Sequence, residues 1–415
     1  MDSVLIVGAG HAAGEMAIAL RMNGYAGAIT LVGEEAHAPY QRPPLSKAFL
    51  AGEMPRERLH VKSLATYQNA NIEFIPGVRV TSIDRIARTV TLADSRTLGY
   101  GKLVLATGGR PRQLSLPDPR INRAPNLHYL RTVDHAEGMR DQFRAGNKLV
   151  IIGGGYIGLE VAAVARKKAI DVTLIEALPR VLQRVTAPEV SAFYTQVHEA
   201  AGVRIRVNTA LTGFEFDAAG SVTAVLAGDG VVIPADVVIV GIGLIPNTEL
   251  AAEAGLLIDD GIAVDEYGQT SDPDILAIGD CTSHESVYAG RRLRLESVPS
   301  ALEQARSAAA LLVGVRKPYH AVPWFWSDQY DLKLQMVGLN RGYDTAVLRG
   351  APANRNFLAF YLKDGVLLAV DSVSRPQEFM VAKKLVAERL RVDPARLADE
   401  SRPLKELLPP APPAS

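Results

Sequence analysis

Two glycine-rich turns are the residues best suited to do chemistry. Gly8-Ala9-Gly10-His11-Ala12-Ala13 has glycine in the first two slots of a dinucleotide-binding turn and alanine in the third, whereas Gly153-Gly154-Gly155-Tyr156-Ile157-Gly158 has glycine in all three. The first glycine permits a tight turn, the second lets backbone approach a pyrophosphate, and the third slot must be small for helix and strand to pack. Backbone N–H groups at the start of the helix then face the anion. A carboxylate able to accept from ribose hydroxyls follows each turn: the pair Glu34-Glu35 begins 24 residues after Gly10, and Glu176 lies 21 residues after Gly155. Two such units imply two dinucleotides on one chain.

The single cysteine narrows the redox chemistry. Cys281 alone cannot close an intrachain disulfide, hold an iron–sulfur cluster or form a dithiol pair, and it reads as a small buried residue. Cys281-Thr282-Ser283-His284 offers only two soft ligands, and the other seven histidines lack metal-ligand spacing, so no metal is expected.

The turns require particular neighbours, and the chain supplies them. Residues 4–7 are an apolar run, 12–23 are Ala-rich with helical spacing and 29–32 are apolar again, a βαβ unit. The same order returns 145 residues later, with strand at 149–152, helix at 159–168 and strand at 172–175. Runs at 103–108, 237–241 and 275–280 contain or end at glycine and read as buried parallel strands emerging at a ligand edge. Segments 212–216, 222–226 and 231–233 alternate as a small antiparallel meander. Beyond Pro323 come short strands, including 334–337, 357–362 and 366–370, then a helix over 377–390 and a Pro-rich tail, 409–415, expected to be disordered. The fold class is therefore α/β, with two Rossmann-like dinucleotide-binding domains and a C-terminal α+β domain.

Composition agrees. A chain of 415 residues has room for two or three domains, and 48% hydrophobic with 22% charged residues is ordinary for a globular protein. Forty-five basic residues balance 45 acidic ones, which argues against nucleic acid as a partner. No apolar run approaches the ~20 residues of a membrane span. Met1-Asp2-Ser3 enters the first strand without a basic leader, and with the lone cysteine this points to the cytoplasm.

The two units, with Pro43-Pro44-Leu45-Ser46-Lys47, Ala106-Thr107-Gly108, Leu130-Arg131-Thr132, Gly279-Asp280 and Trp326-Ser327-Asp328-Gln329-Tyr330, resemble the two-dinucleotide-binding-domain flavoproteins. Within them the likeness is to the NADH-dependent ferredoxin reductases of bacterial haem monooxygenase systems, and it covers nearly the whole chain. It implies a discontinuous FAD domain, 1–112 with 244–320, an NADH domain, 113–243, and a C-terminal domain, 321–415, over the flavin. The implied FAD contacts are Gly8, Gly10, Ala12, Glu34 at the ribose, Lys47 near the isoalloxazine, Val80 at the adenine, Thr107, Arg131, Asp280, Val298 and Trp326. The implied NADH contacts are Gly153, Gly155, Tyr156, Ile157, Gly158, Glu160, Glu176 and Gly243. Relatives that reduce peroxide or disulfides place a redox cysteine beside the flavin, near 45–47, where this chain has none.

Hydride transfer from NADH to FAD needs alignment more than acid–base help. Lys47 reads either as a solvated lysine after a Pro-Pro loop or as an ammonium near flavin N5 and O4. Glu160 reads either as an acid favoured by the helix dipole or as a partner of Lys47 that meets the nicotinamide. With no cluster of its own, the chain must hand electrons to another protein, and the resemblance implies a 2Fe-2S ferredoxin serving a haem monooxygenase. Rubredoxin reductase and the reductase of a ring-hydroxylating dioxygenase are the enzymatic alternatives; an apoptosis-inducing-factor-like interaction flavoprotein is the non-enzymatic one. Arg291, Arg292, Arg294 and Arg306 read as a solvated basic face or as a surface that steers an acidic ferredoxin, with Arg306 the docking candidate.

Overall fold

A computed structural model describes residues 3–409, so most of the expected Pro-rich tail lies outside the described residues. The chain divides into two compact units. One comprises Met1–Arg42, Pro55–Arg110 and Leu244–Pro323; the other comprises Pro43–Met54, Pro111–Gly243 and Trp324–Ser415. The short segment carrying Lys47 thus belongs to the second unit.

The first unit is built on a parallel sheet of five strands in the order Ile275–Ala277, Lys102–Leu105, Ser3–Val7, Ala28–Val32 and Ile72–Ile75. Side chains alternate along Ser3–Val7 as the pleat requires. Val4 and Ile6 face a core with Met16 and Leu20 of the helix His11–Met22, while Leu5 and Val7 face a core with Val80, Val90 and Leu92 of an antiparallel meander. The helix Val298–Leu312 lies beside His11–Met22 and presents Ala301, Ala305, Ala308 and Ala309, small side chains that allow close approach.

The second unit repeats this plan. Its parallel sheet runs Arg204–Arg206, Asp171–Ile175, Lys148–Ile152, Val237–Val240 and Leu127–Tyr129. Leu149 and Ile151 face the side of the helix Tyr156–Lys167; Val150 and Ile152 face the meander Leu211–Phe216, Val222–Ala227 and Val232–Pro234. The same unit holds an antiparallel sheet in the order Trp324–Gln329, Leu332–Gly338, Val366–Val373, Asn356–Lys363 and Thr345–Ala351. One continuous core joins it to the parallel sheet's helices, with Phe193 of Pro188–Ala200 edge-on to Phe357 at 5.1 Å. A fully buried aromatic of this kind contributes about 1.5–3 kcal/mol. The helix Pro376–Ala387 buries Phe379, Ala382, Leu385 and Val386, beginning at Pro376 and ending three residues short of the expected 390.

Candidate active site

Both glycine turns have the backbone their chemistry needs. Gly8 has φ +102° and Gly153 has φ +109°, and a Cβ added there would lie 2.3 Å from the Ala106 carbonyl oxygen or 2.4 Å from that of Gly241. Only glycine fits such a position. At Gly10 and Gly155, the residues capping each helix, an added Cβ meets no atom within 4 Å, and no side chain caps either helix. The first-turn N–H groups are therefore left to a ligand that approaches the backbone closely, which fits a pyrophosphate in each unit.

Around the first turn, the two acids divide. Glu35 accepts from the Tyr40 hydroxyl at 2.5 Å and pairs with Arg42 at 2.8 Å. Glu34 is exposed, 3.7 Å from Arg79, and lines a cavity of about 540 Å³ with Val78, Arg79, Ala93, Asp94 and Arg96. Val80 is buried in the core next to this wall, while Ala12 is buried under the turn. The Thr107 hydroxyl donates to the Asn247 carbonyl at 2.7 Å and the Asn247 amide returns a bond to the Thr107 carbonyl at 2.9 Å, fixing the end of the strand Lys102–Leu105. Val298 opens its helix, directly behind the cap Ser297. His11, which sequence reasoning passed over, has a buried Nδ1 without a partner, and burial lowers its pKa although the charges of Glu15 and Asp280 oppose this. Its place as the first helical residue after Gly10 was the available signal.

In the second unit, the Glu176 carboxylate accepts from the Gly154 N–H at 2.7 Å and the Leu178 N–H at 2.8 Å, so its orientation at the end of Asp171–Ile175 is set by backbone. Gly243, φ +119°, receives the Arg112 N–H at 2.9 Å on its carbonyl. A Cβ at Gly158 would lie 2.1 Å from the Gly153 oxygen, the close crossing that the third slot protects. The Tyr156 hydroxyl donates to Met336 Sδ at 2.7 Å, and Ile157 is 43% exposed. Arg131 immediately precedes Thr132, the cap of the helix Val133–Arg140.

Glu160 and Lys47 are brought together. Lys47 Nζ lies 2.7 Å from Glu160 Oε2 and donates to the Pro43 carbonyl at 3.2 Å. Glu160 is only 2% exposed and is not in the helix's first turn, so the dipole reading does not apply to it. The hydroxyl of Ser46 donates to Oε2 and that of Ser327 to Oε1, the latter at 2.6 Å. Neither serine was singled out in sequence, although each adjoins a residue that was. Trp326 sits in its strand with Trp324 at 5.6 Å and Phe325 at 6.2 Å between ring centres.

Three of the arginines read as a basic face are matched by acids. Arg306 pairs with Glu303 at 2.8 Å while staying 52% exposed; Arg292 lies 3.4 Å from Glu285, and Arg294 bonds Glu296. Cys281 is buried with its thiol donating to the Ile278 carbonyl at 3.3 Å, and burial pushes its pKa up, the opposite of a redox thiolate. Among the described residues no helix is long and apolar enough to cross a membrane.

Comparison with known proteins places this geometry in context. The family model described as pyridine nucleotide-disulphide oxidoreductase matches residues 2–305, and that described as reductase C-terminal matches 324–408. Putidaredoxin reductase CamA of Pseudomonas putida is 52% identical over 408 residues, 98% of this chain and 97% of that protein. The crystal structure of the covalent putidaredoxin reductase–putidaredoxin complex superposes with TM-score 0.95 at 51% identity, covering 98% of this chain and 97% of that one. The ferredoxin reductase for the CYP199A2 system from Rhodopseudomonas palustris superposes with TM-score 0.94 at 44% identity, covering 98% and 99%.

Proposed function

The chain belongs to the pyridine nucleotide-disulphide oxidoreductase family, with a reductase C-terminal domain, and from that premise we propose that it is an FAD-dependent NADH:ferredoxin oxidoreductase. It passes electrons to a separate 2Fe-2S ferredoxin that supplies a haem monooxygenase. One observation carries this reading: two glycine-built helix starts, each uncapped by any side chain, stand in a chain whose only cysteine is buried and inert. Two dinucleotides fit, no dithiol can receive the electrons, and a separate carrier is required. The likeness to reductases that serve putidaredoxin and the CYP199A2 system supports the ferredoxin and the haem enzyme.

FAD, when bound, supplies the ability to take two electrons together and release them singly. The backbone at Gly8, Gly10 and Ala12 holds its pyrophosphate, Glu34 accepts from its ribose, and Val80 borders its adenine. Thr107, Asp280, Val298, Arg131, Trp326 and Lys47 complete the proposed contacts. On the NADH side, Gly153, Gly155, Tyr156, Ile157 and Gly158 form the cradle, Glu176 takes the adenosine ribose, Gly243 gives room, and Glu160 meets the nicotinamide end. Glu160 fixes the Lys47 ammonium, which offers positive charge where negative charge develops during reduction. We assign FAD binding to 1–112 with 244–320, NADH binding to 113–243, the C-terminal domain to 321–415, and the protein to the cytoplasm.

The test is purification followed by coupled reduction. The protein should be yellow with one non-covalent FAD per chain, and NADH should drive reduction of a 2Fe-2S ferredoxin. A colourless protein that gains no flavin on reconstitution, or a flavoprotein inert to NADH, would overturn the reading. Reduction of a rubredoxin but of no 2Fe-2S ferredoxin would reassign the partner.

A further inference from the structure

Behind the Lys47–Glu160 pair runs a line of buried polar side chains. Ser327, on the strand Trp324–Gln329, donates to Glu160 Oε1 at 2.6 Å, and Gln329 Nε2, two residues along the same strand, donates to Ser327 Oγ at 3.1 Å. Gln329 Oε1 lies 2.9 Å from His198 Nε2, on the helix Pro188–Ala200, and His198 Nδ1 lies 3.1 Å from the Tyr330 hydroxyl. Ser327, Gln329 and His198 are each 0% exposed.

A carboxylate only accepts, and that fact orients every bond behind it. Ser327 must donate its hydroxyl hydrogen to Glu160, so its oxygen must accept. Gln329 must then present its amide nitrogen to Ser327 and its carbonyl oxygen to His198. His198 must carry its proton on Nε2, leaving Nδ1 to accept from Tyr330. The chain is one-way, with all donors aimed at Glu160. Burial pushes the His198 pKa down to about 4, consistent with a neutral ring holding one tautomer. Tyr330 is held at φ +56° in the two-residue turn joining Trp324–Gln329 to Leu332–Gly338, a left-handed conformation unfavourable to a non-glycine residue. That strain persists where the surroundings over-determine it, and here the Tyr330 ring packs on His198 with centroids 5.0 Å apart.

We propose that Tyr330, His198, Gln329 and Ser327 form a directed hydrogen-bond chain that orients the Glu160 carboxylate against Lys47, making His198 a positioning residue for hydride transfer. This rests on Glu160 meeting the nicotinamide end of NADH. Removing the imidazole frees the Gln329 amide to flip, its oxygen then draws the Ser327 hydroxyl away, and Glu160 loses a donor without any change in the residues that touch it. A buried carboxylate deprived of a donor is costly, and with Oε1 no longer anchored its orientation against Lys47 is no longer fixed.

Two readouts test this on the FAD-loaded full chain. In ¹⁵N-histidine spectra His198 should appear as the Nε2–H tautomer, and Glu160→Gln should shift its resonances although three hydrogen bonds separate the residues. An Nδ1–H tautomer, or a signal that ignores Glu160→Gln, overturns the chain. In stopped flow, His198→Phe should slow flavin reduction at saturating NADH by about tenfold or more with little change in NADH affinity. His198→Gln, which can place an N–H near the same point, should restore much of the rate. In a Glu160→Gln background, His198→Phe should add nothing, whereas additive losses would make His198 merely structural. Coupled spectra in a protein that NADH fails to reduce would leave the chain standing and remove the functional reading.

Discussion

At the scale of single residues, Asp371 is an acid whose environment departs far from water. It is fully buried in the C-terminal sheet and accepts from the Tyr361 hydroxyl at 2.5 Å; burial pushes its pKa up to about 7. The groups facing it are Tyr361, whose hydroxyl also accepts the Ala187 N–H at 3.0 Å, and the tyrosines Tyr156 and Tyr194. Between pH 3.8, its ordinary value, and about 7, the unfolded chain releases a proton that the folded chain retains, so this residue removes stability as pH rises. His198 and His284 act in the opposite sense. Burial pushes both down to about 4 from 6.5, so their contribution is complete above pH 6.5 and is lost as pH falls toward 4. Asp371→Asn isolates the acid from the histidines. Thermal melts of native and variant protein should show the variant gaining on the native chain from pH 5 to pH 8, by a few degrees or more, since a tenfold change in proton affinity on folding corresponds to about 1.4 kcal/mol. A difference in Tm that is the same at both pH values would refute a neutral buried Asp371.

At the scale of elements, the glycines separate fold from ligand. Gly158→Ala puts a methyl 2.1 Å from the Gly153 oxygen, so the helix Tyr156–Lys167 must leave its strand, and both Tm and NADH affinity should fall. Gly155→Ala adds a methyl that meets no protein atom within 4 Å, so Tm should hold while NADH affinity falls at least tenfold. Calorimetry beside NADH titration reads both, and unchanged affinity in Gly155→Ala would refute the cradle. Such turns were legible in the sequence because strand, turn and helix are contiguous and steric need writes glycine into fixed slots. The parallel strands and the meander were legible for a related reason, since apolar runs and alternation are local. The surroundings of Glu160 were not. Its partners come from residues 46, 47 and 327, and no periodicity links them; they meet only because the turn Pro43–Ser46 with the helix Ala48–Ala51, and separately the strand Trp324–Gln329, pack against the helix Tyr156–Lys167. Glu34 and Glu35 show the same limit, because adjacent identical acids carry no local signal that Tyr40 and Arg42 claim the second.

At the scale of the whole molecule, equal numbers of acids and bases leave no net field to draw in a charged partner. Attraction must come from local charge, and the expected basic face is largely compensated: Arg292 by Glu285, Arg294 by Glu296 and Arg306 by Glu303. Of these three, Arg306 keeps the most exposed side chain, 52% against 25% and 13%, so among them its charge is the best placed to act on an approaching protein. Arg306→Glu would set two carboxylates side by side on the helix Val298–Leu312 and turn a compensated site into a repulsive one. Reduction of an acidic 2Fe-2S ferredoxin should then slow roughly tenfold at low ionic strength, because steering acts on the encounter rate. The gap between native and variant should narrow as salt shortens the screening length to about 8 Å and below. Reduction of ferricyanide by NADH, which needs no docking surface, should be unaffected. A parallel loss of both activities would make Arg306 structural, and a ferredoxin rate unchanged at every salt concentration would move the docking surface elsewhere.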